Sequence, residues 1–336
     1  MKTNRLKQFA LIAFMALGLT ACSDDDNNNA QPDNTIAGIA SRTTNLSSLV
    51  AALNRAELTG VLSGSGNFTV FAPTNDAFAA FLSANGFANV NAVPVPVLRN
   101  LLLNHVIGTE IASSAIPPAV YVSTLSPINS TTGAPTISMF VQKVGTTVTI
   151  NGGASNGGTT VATADIDASN GVIHVVNNVI AIPTVVNHVV ANPQFDTLQA
   201  VVTSGATGTF GDQSAVLAAL NGLTAAAPAT VFAPDNAAFT AATTGTGFAV
   251  GATPAQVSKV LQYHVTVAGN VRSNQLTNNQ SIPMITNPVQ NTTVILGSGT
   301  VDIRDTANNL ARVNQADVQC SNGVIHGVNR VLRPQL

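Results

Sequence analysis

Thr69-Val70-Phe71-Ala72-Pro73-Thr74-Asn75-Asp76-Ala77-Phe78 recurs as Thr230-Val231-Phe232-Ala233-Pro234-Asp235-Asn236-Ala237-Ala238-Phe239. Each copy reads as a short buried strand of Thr, Val and Phe, halted by Ala-Pro. A polar residue follows that can cap a helix beginning at Asn75 or Asn236. In the first copy Phe78, Phe81 and Leu82 then fall at spacings of three and four, which pins the corner to a core by aromatic burial. Two copies imply two domains of one kind, and neither copy holds a nucleophile beside a base.

Working outward, 336 residues exceed one typical domain, and the repeat divides the chain after the N-terminal region into halves of roughly 150 residues. Apolar residues make up 45% of the chain and charged residues only 8%, so Asn, Thr, Ser and Gly must supply most of the wet surface. Such a chain can bury two cores and is not disordered. Its 13 Lys and Arg are scattered, whereas nucleic acid demands a clustered basic face, so no nucleic-acid partner is expected.

Residues 1–21 read as a signal peptide. Lys2, Arg5 and Lys7 precede an apolar run from Phe9 to Leu19, too short for the roughly 20 residues that span a bilayer. Leu19-Thr20-Ala21-Cys22 resembles the lipobox of bacterial lipoproteins, which implies that Cys22 carries the lipid. Several acyl chains at about 0.8 kcal/mol per buried CH₂ would make attachment effectively permanent. Residues 22–34 then read as the anchor cysteine and a flexible Asp/Asn tether. The Asp run also resembles the signal that sends certain lipoproteins to the outer face of the outer membrane, although a solvated spacer has the same composition. Cell envelope, outer membrane and surface display is the expected location. With Cys22 lipidated, Cys320 has no partner, so stability cannot rest on disulfides. Cys320 stands where the other repeat has Ala168, which favours a small residue in a tight site over a reactive thiol.

The first domain is assigned to residues 35–183 and the second to 184–336. Leu46, Leu49, Val50 and Leu53 form a one-faced helical stripe, matched by Phe195, Leu198 and Val202. A later helix is capped by Thr253 with Pro254 at its first position, and its stripe runs Val257, Val260, Leu261 to His264. Leu98, Leu101 and Leu102 place His105 likewise. Beyond these helices Thr147-Val148-Thr149-Ile150 and Thr300-Val301-Asp302-Ile303 alternate with period two. Each half closes on an Asn-Gly hairpin signal, Asn170 to Asn177 and Asn322 to Asn329, containing His174 and His326.

With these motifs in order, twice, the chain resembles a tandem of fasciclin (FAS1) domains from near Thr35 to Pro334. Thr69, Phe71, Pro73 and Asn75, with Thr230, Phe232, Pro234 and Asn236, match the first family box. Tyr263-His264 matches the family's Tyr-His pair, and the Asn-Gly hairpins match the second box. The resemblance implies an α+β fold of two tandem domains, each a small β-sandwich or wedge with helices packed along one edge. Asn104 departs from the pattern, standing where the family usually has Tyr. An adhesive role for the Tyr-His segment, with Tyr263 and His264 as candidate contacts, is therefore expected in the second domain.

Five histidines invite a metal hypothesis, but His105 pairs with His264 and His174 with His326 by repeat, and only His188 stands outside the pattern. Repeated single histidines on apolar stripes read as buried residues whose ring nitrogens bridge backbone or carboxylate groups. No HExxH, CxxC or His pair at i, i+4 occurs, so neither metal nor other cofactor is expected. Asp165 and Asp317 repeat, but sequence does not show them apposed as catalytic carboxylates. No GxSxG elbow, P-loop or dinucleotide fingerprint follows a strand. Asp196-Thr197-Leu198 and Asp305-Thr306-Ala307 resemble bacterial O-glycosylation acceptors, with Thr306 the better placed.

The resemblance and the anchor imply a non-catalytic adhesion module that binds an unidentified protein or polysaccharide surface. The alternative is an envelope carrier of a glycan or small apolar ligand, held in a cleft between the domains. A monomer or a weakly self-associating chain is expected, tied to the membrane only by lipid. A tether of this length reaches about 20 Å, less than the roughly 40 Å width of one domain, so the second domain is the distal tip.

Overall fold

The computed structural model describes residues 33–206, 208, 210–244 and 251–336. The expected signal peptide, Cys22 and the tether as far as Pro32 lie outside the described residues. Both copies of the Thr-Val-Phe-Ala-Pro stretch are strands that stop at the proline. In repeat one the elements run α1 (Ile36–Arg42), α2 (Ser47–Arg55), α3 (Thr59–Ser63), β1 (Phe68–Pro73), α4 (Asn75–Ala84) and α5 (Val95–Leu103). The strands β2 (Val106–Ile107), β3 (Ala119–Pro127), β4 (Thr136–Val144), β5 (Thr147–Ile150), β6 (Thr159–Ala168) and β7 (Gly171–Val176) follow. Repeat two runs α6 (Val185–Ala191), α7 (Asp196–Val202), α8 (Ser214–Asn221), β8 (Ala229–Pro234), α9 (Asn236–Thr243) and α10 (Pro254–Gln262). It ends on β9 (Val265–Thr266), β10 (Ser281–Pro283), β11 (Asn291–Leu296), β12 (Val301–Arg304), β13 (Leu310–Cys320) and β14 (Gly323–Val328).

The decisive pairing joins the two family boxes. β1 lies parallel to β7 from Phe68↔Gly171 to Pro73↔Val176, and β8 lies parallel to β14 from Ala229↔Gly323 to Pro234↔Val328. The ladder continues past each proline, since the amides of Thr74 and Asp235 donate to the carbonyls of Val176 and Val328. The missing N–H of Pro73 faces the side on which β2 pairs only with Thr69 and Val70, so no ladder bond is lost there. Gly171 and Gly323 open the last strands because a Cβ would sit 1.9 Å from the Phe68 carbonyl oxygen or 2.2 Å from that of Ala229.

In repeat one the seven strands close into a barrel in the order β1 to β7. The β2–β3 closure rests on Ile107↔Thr124. Repeat two forms a seven-stranded sheet in the order β10-β11-β12-β13-β14-β8-β9, with Ile285 donating to the Val265 carbonyl just beyond β10. Helices pack around a separate apolar core in each repeat, one centred on Leu49, Leu53, Phe78 and Leu98, the other on Phe195, Leu198, Phe239 and Leu261. The α+β class and the tandem of two like domains thus hold, with the sheet of the first domain closed on itself. Residues 33–336 form one compact unit. Among the described residues no helix is long and apolar enough to cross a membrane.

Candidate functional site

The helix caps expected at the two corners are present. Thr74 Oγ1 accepts from the Ala77 amide at 3.2 Å, and Asp235 Oδ1 from the Ala238 amide at 2.8 Å. The next residue has a separate task. Asn75 Oδ1 accepts from the Ser48 amide at 2.8 Å while its Nδ2 donates to the Thr44 carbonyl, and Asn236 does the same with the Thr197 amide and the Pro193 carbonyl. Thr69 and Thr230 are buried, their hydroxyls donating to the carbonyls of Thr109 and Gly269 and accepting from the amides of Ile111 and Val271. Phe71 and Phe232 are core residues lying against the rings of His174 and His326. The first box is therefore a set of intramolecular ties.

The four repeated histidines are buried and fall into two classes. His105 Nδ1 lies 2.7 Å from the Leu101 carbonyl and its Nε2 accepts from the Ile180 amide at 2.8 Å. His264 repeats this with the Val260 carbonyl at 2.7 Å and the Leu332 amide at 2.8 Å. These partners require the neutral ring with its proton on Nδ1. Burial, opposed by the helix carbonyl, pulls each ring's pKa down to about 4. His174 and His326 take the other tautomer, with Nδ1 accepting from the amides of Asp165 and Asp317 and Nε2 donating to the carbonyls of Ile111 and Val271.

Beside this second pair each repeat assembles Ser, Asp and His. The Ser113 hydroxyl and amide donate to Asp165, and those of Ser273 donate to Asp317. The serine contacts lower the Asp165 pKa. Both aspartates hold φ near +59°, turned so that the carboxylate meets the serine while the amide meets the histidine. A hydrolytic triad needs the imidazole on the serine oxygen. Here the imidazole is spent on main-chain groups and the serine on the carboxylate, so the cluster fastens a short helical turn to a strand. Sequence reasoning missed both serines, because they stand 52 and 44 residues from their aspartates and no local motif links them.

Tyr263 and His264, the candidate adhesive contacts, are both in the core, where the apolar stripe had put His264. Tyr263 is fully buried, its hydroxyl donating to the Asn291 carbonyl at 2.8 Å, and burial raises its pKa to about 12. The Tyr ring fills space among Phe232, Leu276, Ile282 and Val294, which a polar face could not do. At the corresponding place Asn104 is buried too, and its Nδ2 reaches the carbonyls of Ile180 and Ala181. Thr306 is half-buried and donates its hydroxyl to the Arg333 carbonyl, while Thr197 is half-buried at the start of α7. Cys320 is buried, and burial pushes its thiol pKa well up. No group of three or more His, Cys, Asp or Glu among the described residues could hold a metal ion.

Two further features stand outside these ties, a cleft and the joint between the repeats. An apolar cleft of about 300 Å³ in repeat one is lined by Phe71, Ile107, Ile111, Ile116, Val120 and Val122, with Glu110 at its rim. The contact between the repeats is made by Tyr121, Ser138 and Asn156 on one side and Asn187, His188 and Gln319 on the other.

Comparison with known proteins agrees with the repeat. The fasciclin-domain family model matches residues 44–183 and again 193–334. Protein sll1483 of Synechocystis is 36% identical over 149 residues, covering 44% of this chain and 74% of that protein. The uncharacterized protein sll1735 of the same organism is 32% identical over 145 residues, covering 43% of this chain and 96% of its own length. A solved FAS1 domain pair from the insect cell adhesion molecule fasciclin I shares 17% identity, with a TM-score of 0.48 over 84% of this chain and 92% of that one. Two consecutive matches to one model, each spanning one of the structural repeats, make this chain a member of the fasciclin-domain family.

Proposed function

We propose that the protein is a non-catalytic interaction lipoprotein of the cell envelope, anchored through Cys22, whose two fasciclin domains bind a protein or polysaccharide surface. The observation that carries the non-catalytic part is the state of the recurring polar residues. Asn75, His105, His174, Asp165 and their counterparts spend their hydrogen bonds inside the fold, and no serine among them meets an imidazole. Family membership and the lipobox support the rest. Tyr263 and His264, both buried, would act in binding only through the packing of repeat two. Thr306 and Thr197 remain the acceptors offered for O-glycosylation.

The test uses full-length protein in membranes and the Cys22→Ala variant. Palmitate label and flotation with membranes are expected for the first and lost in the second. Binding to arrayed matrix proteins and glycans should be saturable, and a chain truncated after Pro183 should stay anchored but lose it. Retained label on Cys22→Ala would overturn the anchor, and adhesion surviving the truncation would overturn the distal role of repeat two.

The cleft beneath Glu110 favours a second reading, carriage of a small apolar molecule, with the site inside the first domain and not between the domains. Native mass spectrometry of protein taken from its own membranes should then show a stoichiometric added mass, lost in Val120→Phe.

A further inference from the structure

His188 is the histidine outside the repeat, and its place in the fold gives it a separate role. Counting from the helix caps Thr35 and Thr184, it occupies in α6 the position of Ile39 in α1. The side chain is completely buried, and neither ring nitrogen has a hydrogen-bond partner. Its ring meets the Tyr121 ring of the other repeat edge-on, with centroids 5.4 Å apart. Around it the joint between the repeats is held by Tyr121, which packs against the apolar core of repeat two, and by a few neutral bonds. Asn156 and Asn187 exchange bonds at 2.8 and 3.0 Å, the main-chain amide of Gln319 donates to Ser138 Oγ at 2.9 Å, and Asn192 reaches the Tyr121 hydroxyl at 3.3 Å. The nitrogen Nδ2 of Asn151, on the same side of the joint as Phe140, is likewise without a partner.

We propose that His188 is an acid-sensitive latch between the two fasciclin domains: its protonation breaks the contact with Tyr121 and parts the domains while each stays folded. A buried imidazolium needs an acceptor or water. The side chains facing it supply neither, and the one main-chain acceptor beside it, the Ser138 carbonyl, completes no well-formed hydrogen bond to either ring nitrogen. Tyr121 on β3 is a neutral phenol whose pKa burial raises, and Cys320 on β13 is a thiol that burial keeps protonated. The remaining charges on the packed elements are engaged or turned away. Lys143 on β4 donates to the Ser113 carbonyl, and Arg312 and Asp317 on β13 hold Asp302 and Ser273. Asp196 on α7 is exposed, and His326 on β14 is tied to main-chain groups inside repeat two.

Water can reach His188 by separation of the joint, whereas His105 and His264 are bound twice to main chain within a core, and their protonation requires a repeat to unfold. In the closed joint burial holds the His188 ring at about 4, with the Ser138 main chain working against that shift. A ring returned to water regains its ordinary value near 6.5, so below that pH the open form gains about tenfold per pH unit, until pH 4. The sign is fixed: acid opens and neutral pH closes.

The experiment places nitroxide labels on the exposed positions Val97→Cys and Val289→Cys of the full-length chain carrying Cys22→Ala, and measures their separation by pulsed electron resonance from pH 7.5 to 4.5. Circular dichroism at each pH reports whether the repeats remain folded. With His188 present, a second population with a changed label separation should grow about tenfold per pH unit below 6.5 while the dichroism holds. In His188→Ile, the residue of the other repeat, and in His188→Gln, a polar side chain that does not titrate, that population should stay at its neutral-pH level. Opening at the same pH in either folded variant would overturn the proposal. So would an unchanged distance down to pH 4.5, or opening that coincides with loss of the dichroism.

Discussion

Asn170 Oδ1 accepts a hydrogen bond of 2.9 Å from the amide of Ile36, 134 residues earlier, and so ties the first helix of the repeat to its last hairpin. The same side chain donates to the carbonyls of Leu62 and Gly64, both at 2.8 Å. Asn322 repeats the tie to Val185 at 2.9 Å. Asn170→Ala should therefore orphan one buried amide and two carbonyls and destabilise repeat one by about 2–4 kcal/mol. Asn322, whose second bond is 3.5 Å long, should lose less when changed to Ala. Urea unfolding of the two variants tests the order, and equal losses would contradict it.

His105→Ala and His264→Ala should each destabilise their own repeat by about 1–3 kcal/mol through lost packing and an unpaired main-chain amide. Metal content should be the same in all three proteins. Stoichiometric zinc in the parent, absent from a variant, would overturn the structural role.

Acid should weaken the fold through the same two rings. Their folded pKa of about 4 lies below the ordinary value of 6.5, so the unfolded chain binds the proton first. Stability from each is then complete above pH 6.5 and falls by about 1.4 kcal/mol per pH unit down to pH 4, roughly 3 kcal/mol in all. Guanidinium melts at intervals across this range should show a shallower slope in His105→Ala. A slope as steep as that of the parent would remove His105 from the account.

Cys320 should resist thiol reagents in the native protein, since it is buried with its pKa raised. In Cys22→Ala protein, labelling by a charged maleimide should be at least about 100-fold slower than in denaturant, because global or local opening limits access. Comparable rates would place the thiol at the surface.

Local chemistry was readable from the chain, and distant pairing was not. Thr74 and Asp235 announce their helices because a cap acts on an amide three residues away, and Thr253 with Pro254 does likewise. The histidine stripes were legible for the same reason. The parallel pairing of β1 with β7 joins residues about a hundred apart, and no local periodicity records such a partner. Tyr263 was misplaced because a tyrosine suits either a core or a contact surface, and the choice fell to the Asn291 carbonyl waiting inside the sheet. His188 announced its difference only by breaking the repeat.

The placement of β1 beside β7 also constrains a chain that emerges from the ribosome N-terminus first. Helices α1 to α5 can form as they emerge, but β1 lacks its parallel neighbour until Gly171 to Val176 have appeared, and Ile36 waits equally long for Asn170. Repeat one thus closes its sheet only with the six residues of β7. Repeat two imposes the same delay until β14 has appeared. During synthesis each domain passes through a long interval with an open sheet edge and an unfilled core, which makes that interval the stage at which a holdase would be needed.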